Sequence, residues 1–169
     1  GIRMSIWTAG CNNHCKGCWA QHTWNPLQGR PTSECMQEIE EILKTNDIDG
    51  VSILGGDPLF STFNEGSSDD LIAIIDLCKS YGKSVWVWSG YSLDDIYHTD
   101  KRVLEKIDVL VEGKYDESKR DLNLFYRGSS NQRVIFMEAP SDGVEYKHYV
   151  LSLLDDGYSL EECNGESDK

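Results

Sequence analysis

Apolar side chains recur along the chain in five short runs, at residues 4–8, 51–54, 84–88, 108–112 and 133–137. Most are apolar on both faces, the pattern of strands buried inside a parallel sheet. Between the second and third runs, Leu71, Ile74, Ile75 and Cys78 fall at helical spacing. Ser67 or Ser68 stands ahead of them as a cap, acids fill the first turn, and Gly82 follows the last apolar position. A second helix is predicted over 33–44, and Ser92-Leu93-Asp94-Asp95 has the form of a capping box opening a third, shorter one. This alternation of β and α predicts an α/β fold with a parallel sheet.

About five such units are too few for an eight-stranded barrel, which leaves an open wound sheet or a partial barrel. Either architecture places function at the C-terminal ends of the strands. The chemically distinctive residues fall there. Cysteines follow the first run, Gly55-Gly56-Asp57-Pro58 the second, Ser89-Gly90-Tyr91 the third and Gly113-Lys114 the fourth.

Composition narrows the classes further. The chain has 169 residues, with 16 basic against 29 acidic side chains and a net charge of −13, so it offers no electrostatic grip on nucleic acid. With 39% apolar and 10% aromatic residues it can fill one core. The longest uninterrupted apolar run, 71–75, is far short of the roughly 18 residues of a membrane-spanning helix. The absence of a signal peptide, a glycosylation sequon and a spaced disulfide framework predicts a reducing cytoplasm. The chain opens on Gly1 rather than Met, which leaves open whether a segment precedes it. From Ala139 onward the sequence turns acidic, and 164–169 carry no apolar side chain, so 161–169 is expected to be mobile.

Cys11-x3-Cys15-x2-Cys18 sets three thiolates within one short loop, a reach suited to one polynuclear centre. A structural zinc site needs four protein ligands, and His14, His22 or Cys35 is available as a fourth. An electron-transfer ferredoxin needs four cysteines per cluster, which this loop lacks. A cubane on three cysteines leaves one iron open to a small chelating ligand. Cys35 and Cys78 read as small buried hydrophobes and Cys163 as a free thiol, while the four histidines form no spacing suited to a metal or a triad.

Gly10-Cys11-Asn12-Asn13-His14-Cys15-Lys16-Gly17-Cys18-Trp19 resembles the cluster loop of the radical S-adenosylmethionine (SAM) superfamily, and Gly55-Gly56-Asp57-Pro58-Leu59 resembles the glycine-rich motif after its second strand. Three further stretches, Trp86-Val87-Trp88-Ser89-Gly90-Tyr91, Asp108 through Tyr115, and Arg127 through Arg133, are similar to the branch of that superfamily that activates the anaerobic ribonucleoside-triphosphate reductase. The likeness spans about residues 1–137. Gly17 stands where many superfamily members carry an aromatic residue, a pattern this branch shares, and nothing beyond Tyr149 has a counterpart.

The resemblance implies a partial, open β/α barrel over 1–149, and the acidic composition beyond it reads as a mobile tail over 150–169. It also implies a 4Fe-4S cluster on Cys11, Cys15 and Cys18, with SAM chelating the open iron. Gly55 and Gly56 would let the backbone approach the methionine end, Asp57 would supply compensating charge, Trp19 would flank the adenine, and Ser89 and Lys114 would approach SAM. Glu112-x-Lys114 is similar to an Asp-x-Lys element that in related formate-lyase activating enzymes serves a cation site. Arg127 and Arg133 would form a face for the partner. The implied activity is reductive cleavage of SAM to a 5′-deoxyadenosyl radical and formation of a glycyl radical on the large subunit of the reductase, with a low-potential electron donor and neither nucleic acid nor membrane as partners. Two alternatives stand beside it: a small-molecule radical SAM enzyme of the deazaguanine-forming type, and a non-catalytic zinc or electron-transfer module.

Overall fold

In a computed structural model that describes residues 1–45, 47–138, 148–154 and 156–163, the five predicted runs form strands: β1 (Arg3–Thr8), β2 (Gly50–Gly55), β3 (Ser84–Ser89), β4 (Val109–Glu112) and β5 (Arg133–Phe136). Helices α1 (Thr32–Lys44), α2 (Asp69–Ser80) and α3 (Leu93–Asp100) alternate with them. The apolar spacing in α2 buries Leu71, Ile74, Ile75 and Cys78 on one face. The capping box of α3 forms as the sequence predicts: Ser92 Oγ accepts from the Asp95 N–H, and the Asp95 carboxylate accepts from the Ser92 N–H. Glu112, from the end of β4, accepts from the next free donor of that helix, the Leu93 N–H, at 3.2 Å.

The strands form one sheet in sequential order, β1-β2-β3-β4-β5 followed by β6 (His148–Leu154) and β7 (Gly157–Cys163). Neighbours β1 through β4 are parallel. Their buried side chains Val51, Ile53, Val85, Val87 and Leu110 pack into one core with Ile39 and Leu43 of α1, Ile75 of α2 and Ile96 of α3. Val109, Val111, Val134 and Phe136 form a smaller cluster with Trp86 and Trp88. The result is a mixed α/β fold with a seven-stranded sheet that does not close, since β1 and β7 are its two edges.

Two expectations are corrected. The sheet is not wholly parallel: β5 runs antiparallel to β4, with Glu112 opposite Arg133, and β7 runs antiparallel to β6. The physical reason for the first lies in the connection. No helix returns the chain after β4; residues 113–132 hold a 3-10 turn at Glu117–Lys119 and one antiparallel bridge between Arg120 and Ser129, so β5 starts at the end of the sheet where β4 finishes. Nor does the chain become a tail at residue 150, because β6 already begins at His148 and pairs with β7 through seven register positions. Residues 164–169 of the expected tail lie outside the described residues. The acidic sequence on either side hid these strands, although β6 itself carries Tyr149, Val150, Leu151, Leu153 and Leu154 and no acid. Leu151 is 4% exposed and joins the main core, and the Tyr97 hydroxyl donates to the Gly157 carbonyl. Among the described residues no helix is long and apolar enough to cross a membrane.

The hairpin gives a direct test. Leu151→Ala should lower the free energy of unfolding by about 2–5 kcal/mol in urea titrations. Leu154→Ala, on the same strand but 51% exposed, should stay within about 0.5 kcal/mol. Two equally silent substitutions would return 150–163 to a tail.

Candidate functional site

β1, β2 and β3 are parallel and in register, so their C-terminal ends lie side by side, and the segments leaving them meet. The loop after β1 carries the cysteines. It turns back along the end of β2: the Gly10 carbonyl accepts from the Asp57 N–H at 2.8 Å, and the Thr8 carbonyl accepts from the Gly56 N–H at 2.8 Å. On its other side the loop is tied to residues 23 and 24, whose carbonyls accept from the Gly10 and Cys11 N–H groups.

This close approach explains the two glycines. Gly55 has a φ of +121°, and a Cβ there would sit 2.6 Å from the Thr8 carbonyl oxygen. A Cβ on Gly56 would strike the Gly10 carbonyl and lie 2.9 Å from that of Thr23. Both glycines therefore let the cysteine loop lie on the end of β2, a contact within the protein that the sequence reading did not anticipate.

Asp57 is 2% exposed, and its carboxylate accepts four hydrogen bonds. Oδ1 accepts from the Leu59 N–H at 3.0 Å and the Ser89 hydroxyl at 2.9 Å. Oδ2 accepts from the Asn13 amide at 3.0 Å and the Gly90 N–H at 2.8 Å. Burial pushes its pKa up, and the four donors oppose that shift. A carboxyl raised in the folded state costs stability at every pH above its folded pKa, and the cost vanishes once the pH falls below the ordinary value. Asp57 thus joins three segments: the cysteine loop at Asn13, its own turn, and the end of β3.

Around these ends lies a cleft of about 700 Å³. Cys11, Cys15, Cys18, Trp19, Gly55, Gly56, Asp57 and Ser89 all line it. Cys11 is buried and the other two loop cysteines are half-buried. Burial pushes the Cys15 thiol up, while the Tyr115 backbone and the Lys114 charge pull the other way. Trp19, 76% exposed, meets Trp7 edge to face at 5.1 Å, so it stands at the mouth of the cleft with one face free. Lys114 lines a smaller neighbouring cavity of about 450 Å³ that shares Tyr115 and Glu117 with the cleft.

The far wall is the 113–132 connection, which the sequence reading left without structure. Lys16 of the cysteine loop pairs with Glu117 at 3.2 Å, and Trp88 Nε1 donates to the Tyr126 carbonyl at 2.7 Å. Gln132 holds the base of the connection, donating to the Gly113 carbonyl and accepting from the Gly128 N–H. Glu112 and Arg133 pair with each other across β4 and β5, while Arg127 lines the cleft. Cys35 lies on α1 and Cys78 is buried under α2, both away from the cleft-lining set. Of the residues that complete the site, Asn13, Tyr115, Trp7 and Trp88 were missed. Asn13 sits inside the cysteine motif, and Trp88 and Tyr115 inside the stretches around Ser89 and Lys114, positions that could have marked them; Trp7 lies on β1 in an apolar run that reads as core.

The donor set fits an iron–sulfur cluster: three thiols from one loop share one cleft with strand-end backbone beside them. Among the described residues no three His, Cys, Asp or Glu side chains converge as ligands of a single metal ion.

Comparison with known proteins agrees with this donor set. The family model described as a 4Fe-4S single cluster domain matches residues 1–135, and it supports an iron–sulfur cluster here. The anaerobic ribonucleoside-triphosphate reductase-activating protein of Escherichia coli K12 is 34% identical over 140 residues, covering 79% of this chain and 88% of its own length. The protein of the same name from Enterobacteria phage T4 is 33% identical over 149 residues, covering 88% and 90%. That of Haemophilus influenzae is 34% identical over 137 residues, covering 78% and 86%. No solved structure matches. These matches do not favour the small-molecule or zinc-module alternatives. With the cysteine loop, its cleft and these relatives in agreement, the chain belongs to the family of anaerobic ribonucleoside-triphosphate reductase-activating proteins, glycyl-radical activating enzymes that carry a 4Fe-4S domain.

Proposed function

We infer that this chain binds SAM beside a 4Fe-4S cluster and makes a glycyl radical on an anaerobic ribonucleoside-triphosphate reductase, as the names of its relatives suggest. The observation that carries this reading is that all three loop cysteines and the ends of β2 and β3 line one cleft. When bound, the cluster and SAM would supply the hard chemistry, one-electron reduction fed by a low-potential donor and removal of a hydrogen atom from a glycine Cα of the target.

The chain's own residues bind, orient and exclude water. Cys11, Cys15 and Cys18 would hold the cluster, with SAM bound beside it in the same cleft. Gly55 and Gly56 keep the cysteine loop against β2 with no side chain between. Asp57 acts chiefly by holding Asn13, Ser89 and Gly90 in place, and its negative charge complements the SAM cation through those donors. Trp19 offers its free face to the adenine. Ser89 lines the cleft with its hydroxyl turned to Asp57, and Lys114 acts from the adjoining cavity.

The sheet is read as an open, radical SAM-type partial barrel whose core over 1–149 is extended by the β6–β7 hairpin. An open architecture suits a protein substrate, since an extended glycine-bearing segment can cap a cleft that the enzyme does not close. Directed abstraction requires that the glycine lie a few ångströms from the radical with water excluded. The proposed setting is the cytoplasm, with the reductase and an electron donor as partners and neither nucleic acid nor membrane.

The test is electron paramagnetic resonance of the reduced, reconstituted protein mixed with SAM and the reductase, with SAM cleavage counted alongside. A glycyl signal is expected; SAM cleavage without one would sink the activase reading. Cys11→Ala, Cys15→Ala and Cys18→Ala should each lose cluster iron and sulfide, whereas Cys35→Ala and Cys78→Ala retain them.

Asp57→Asn keeps the shape but leaves two of the four donors facing an amide NH2. It should cost about 1–3 kcal/mol of stability for each donor left unmet. It should also weaken SAM binding, measured anaerobically by calorimetry, while iron content stays near wild type. Unchanged SAM affinity would reduce Gly55-Gly56-Asp57-Pro58 to a structural turn.

A further inference from the structure

Among the described residues, the Arg127 Nε is a buried polar atom without a hydrogen-bond partner. Other packed arginines are engaged. Arg3 donates to Ser52, Ser84 and the Val51 carbonyl, and Arg133 pairs with Glu112. Arg127 lines the cleft that holds the three cysteines, and no ion pair with a described acid takes up its charge.

The backbone holds Arg127 there from both sides. Just before it, Tyr126 has a φ of +63°, a left-handed conformation that non-glycine residues rarely adopt. Such a conformation persists only where the surroundings enforce it. Here Trp88 Nε1 grips the Tyr126 carbonyl, and the Trp86 ring meets that of Tyr126 edge to face at 4.8 Å. Just after it, the Gly128 N–H donates to Gln132 Oε1 at 2.9 Å, and a Cβ at Gly128 would lie 3.2 Å from the Tyr115 ring. A strained, doubly pinned backbone that carries a guanidinium whose buried Nε lacks a partner marks a group placed for a ligand.

We propose that Arg127 is the polar anchor of the cleft's occupant, donating from its guanidinium edge to a carboxylate or carbonyl oxygen. A guanidinium offers coplanar donors matched to such oxygens, and enclosure in the cleft strengthens the contact. The inference rests on the activase reading, which supplies two sources of that oxygen: the carboxylate of SAM and the backbone carbonyl of the glycine-bearing segment of the target.

The experiment uses the full chain with its cluster reconstituted, as wild type, Arg127→Gln and Arg127→Lys. Lys119→Gln removes a charge from the same connection and serves as the control. Iron content and thermal midpoint report cluster and fold. Anaerobic calorimetry gives SAM affinity, and titration with the reductase, read as half-saturation of the glycyl signal and as direct binding, gives target affinity. Arg127→Gln should weaken one of the two by at least tenfold, and Lys119→Gln should change neither by more than twofold. Loss confined to SAM assigns the contact to its carboxylate; loss confined to the reductase assigns it to the peptide carbonyl. Arg127→Lys, which keeps the charge but not the fork, should recover only part of the loss, and it carries the test if Arg127→Gln fails to fold. A folded, cluster-bearing variant with both affinities intact overturns the proposal, as does an equal loss in Lys119→Gln. The wild-type sample separates the two ideas: if it forms a glycyl radical while Arg127 proves silent, only the anchor falls, and if it neither binds SAM nor activates the reductase, both fall.

Discussion

A carboxylate removed from water must find donors, and the donors that Asp57 finds come from the cysteine loop, its own turn and the end of β3. Most of the site follows from this. Asn13 is fixed between the first and second cysteines, so the loop cannot swing away from the sheet. Ser89 and Gly90 are fixed on the other side, so the mouth between β2 and β3 has a set width. Burial pushes its pKa up against these four bonds, so ionising the carboxyl works against the fold. The carboxylate is better understood as specifying one arrangement of three segments than as adding stability.

The second constraint is steric. Parallel strands in register bring three chain segments to one line, and only small residues let the cysteine loop lie flat on the end of β2. Gly55 and Gly56 serve that contact first. Any ligand at the same backbone then profits from carbonyls and N–H groups that are close to the surface and already oriented.

The third contribution comes from the connection between β4 and β5. Because no helix carries the chain back, those twenty or so residues stay at the functional end of the sheet and build the outer wall of the cleft. The Lys16–Glu117 pair ties that wall to the cysteine loop at an exposed position, a weak link in itself. The Trp88–Tyr126 and Gln132 hydrogen bonds hold it at the base. The antiparallel β5 and the open cleft thus have one cause.

The sequence by itself determined the five main strands, the three helices, the α3 capping box and the grouping of cysteines, Gly55-Gly56-Asp57 and Ser89 at one end of the sheet. Each of these is written locally, in periodicity, capping chemistry or the fixed geometry of a βα unit. Tertiary structure alone decided the rest. The reversal at β5 depends on a loop that has no periodicity, and the β6–β7 hairpin is carried by cross-strand pairing and a few buried contacts such as Leu151, which the acidic sequence around it masks. That Asp57 faces Asn13 and Ser89, that Glu112 meets Arg133, and that Arg127 Nε has no acceptor among the described residues are all relations between residues far apart in the chain. Side-chain partnership across such distances is set by packing and by the satisfaction of buried polar groups, and no local pattern records either.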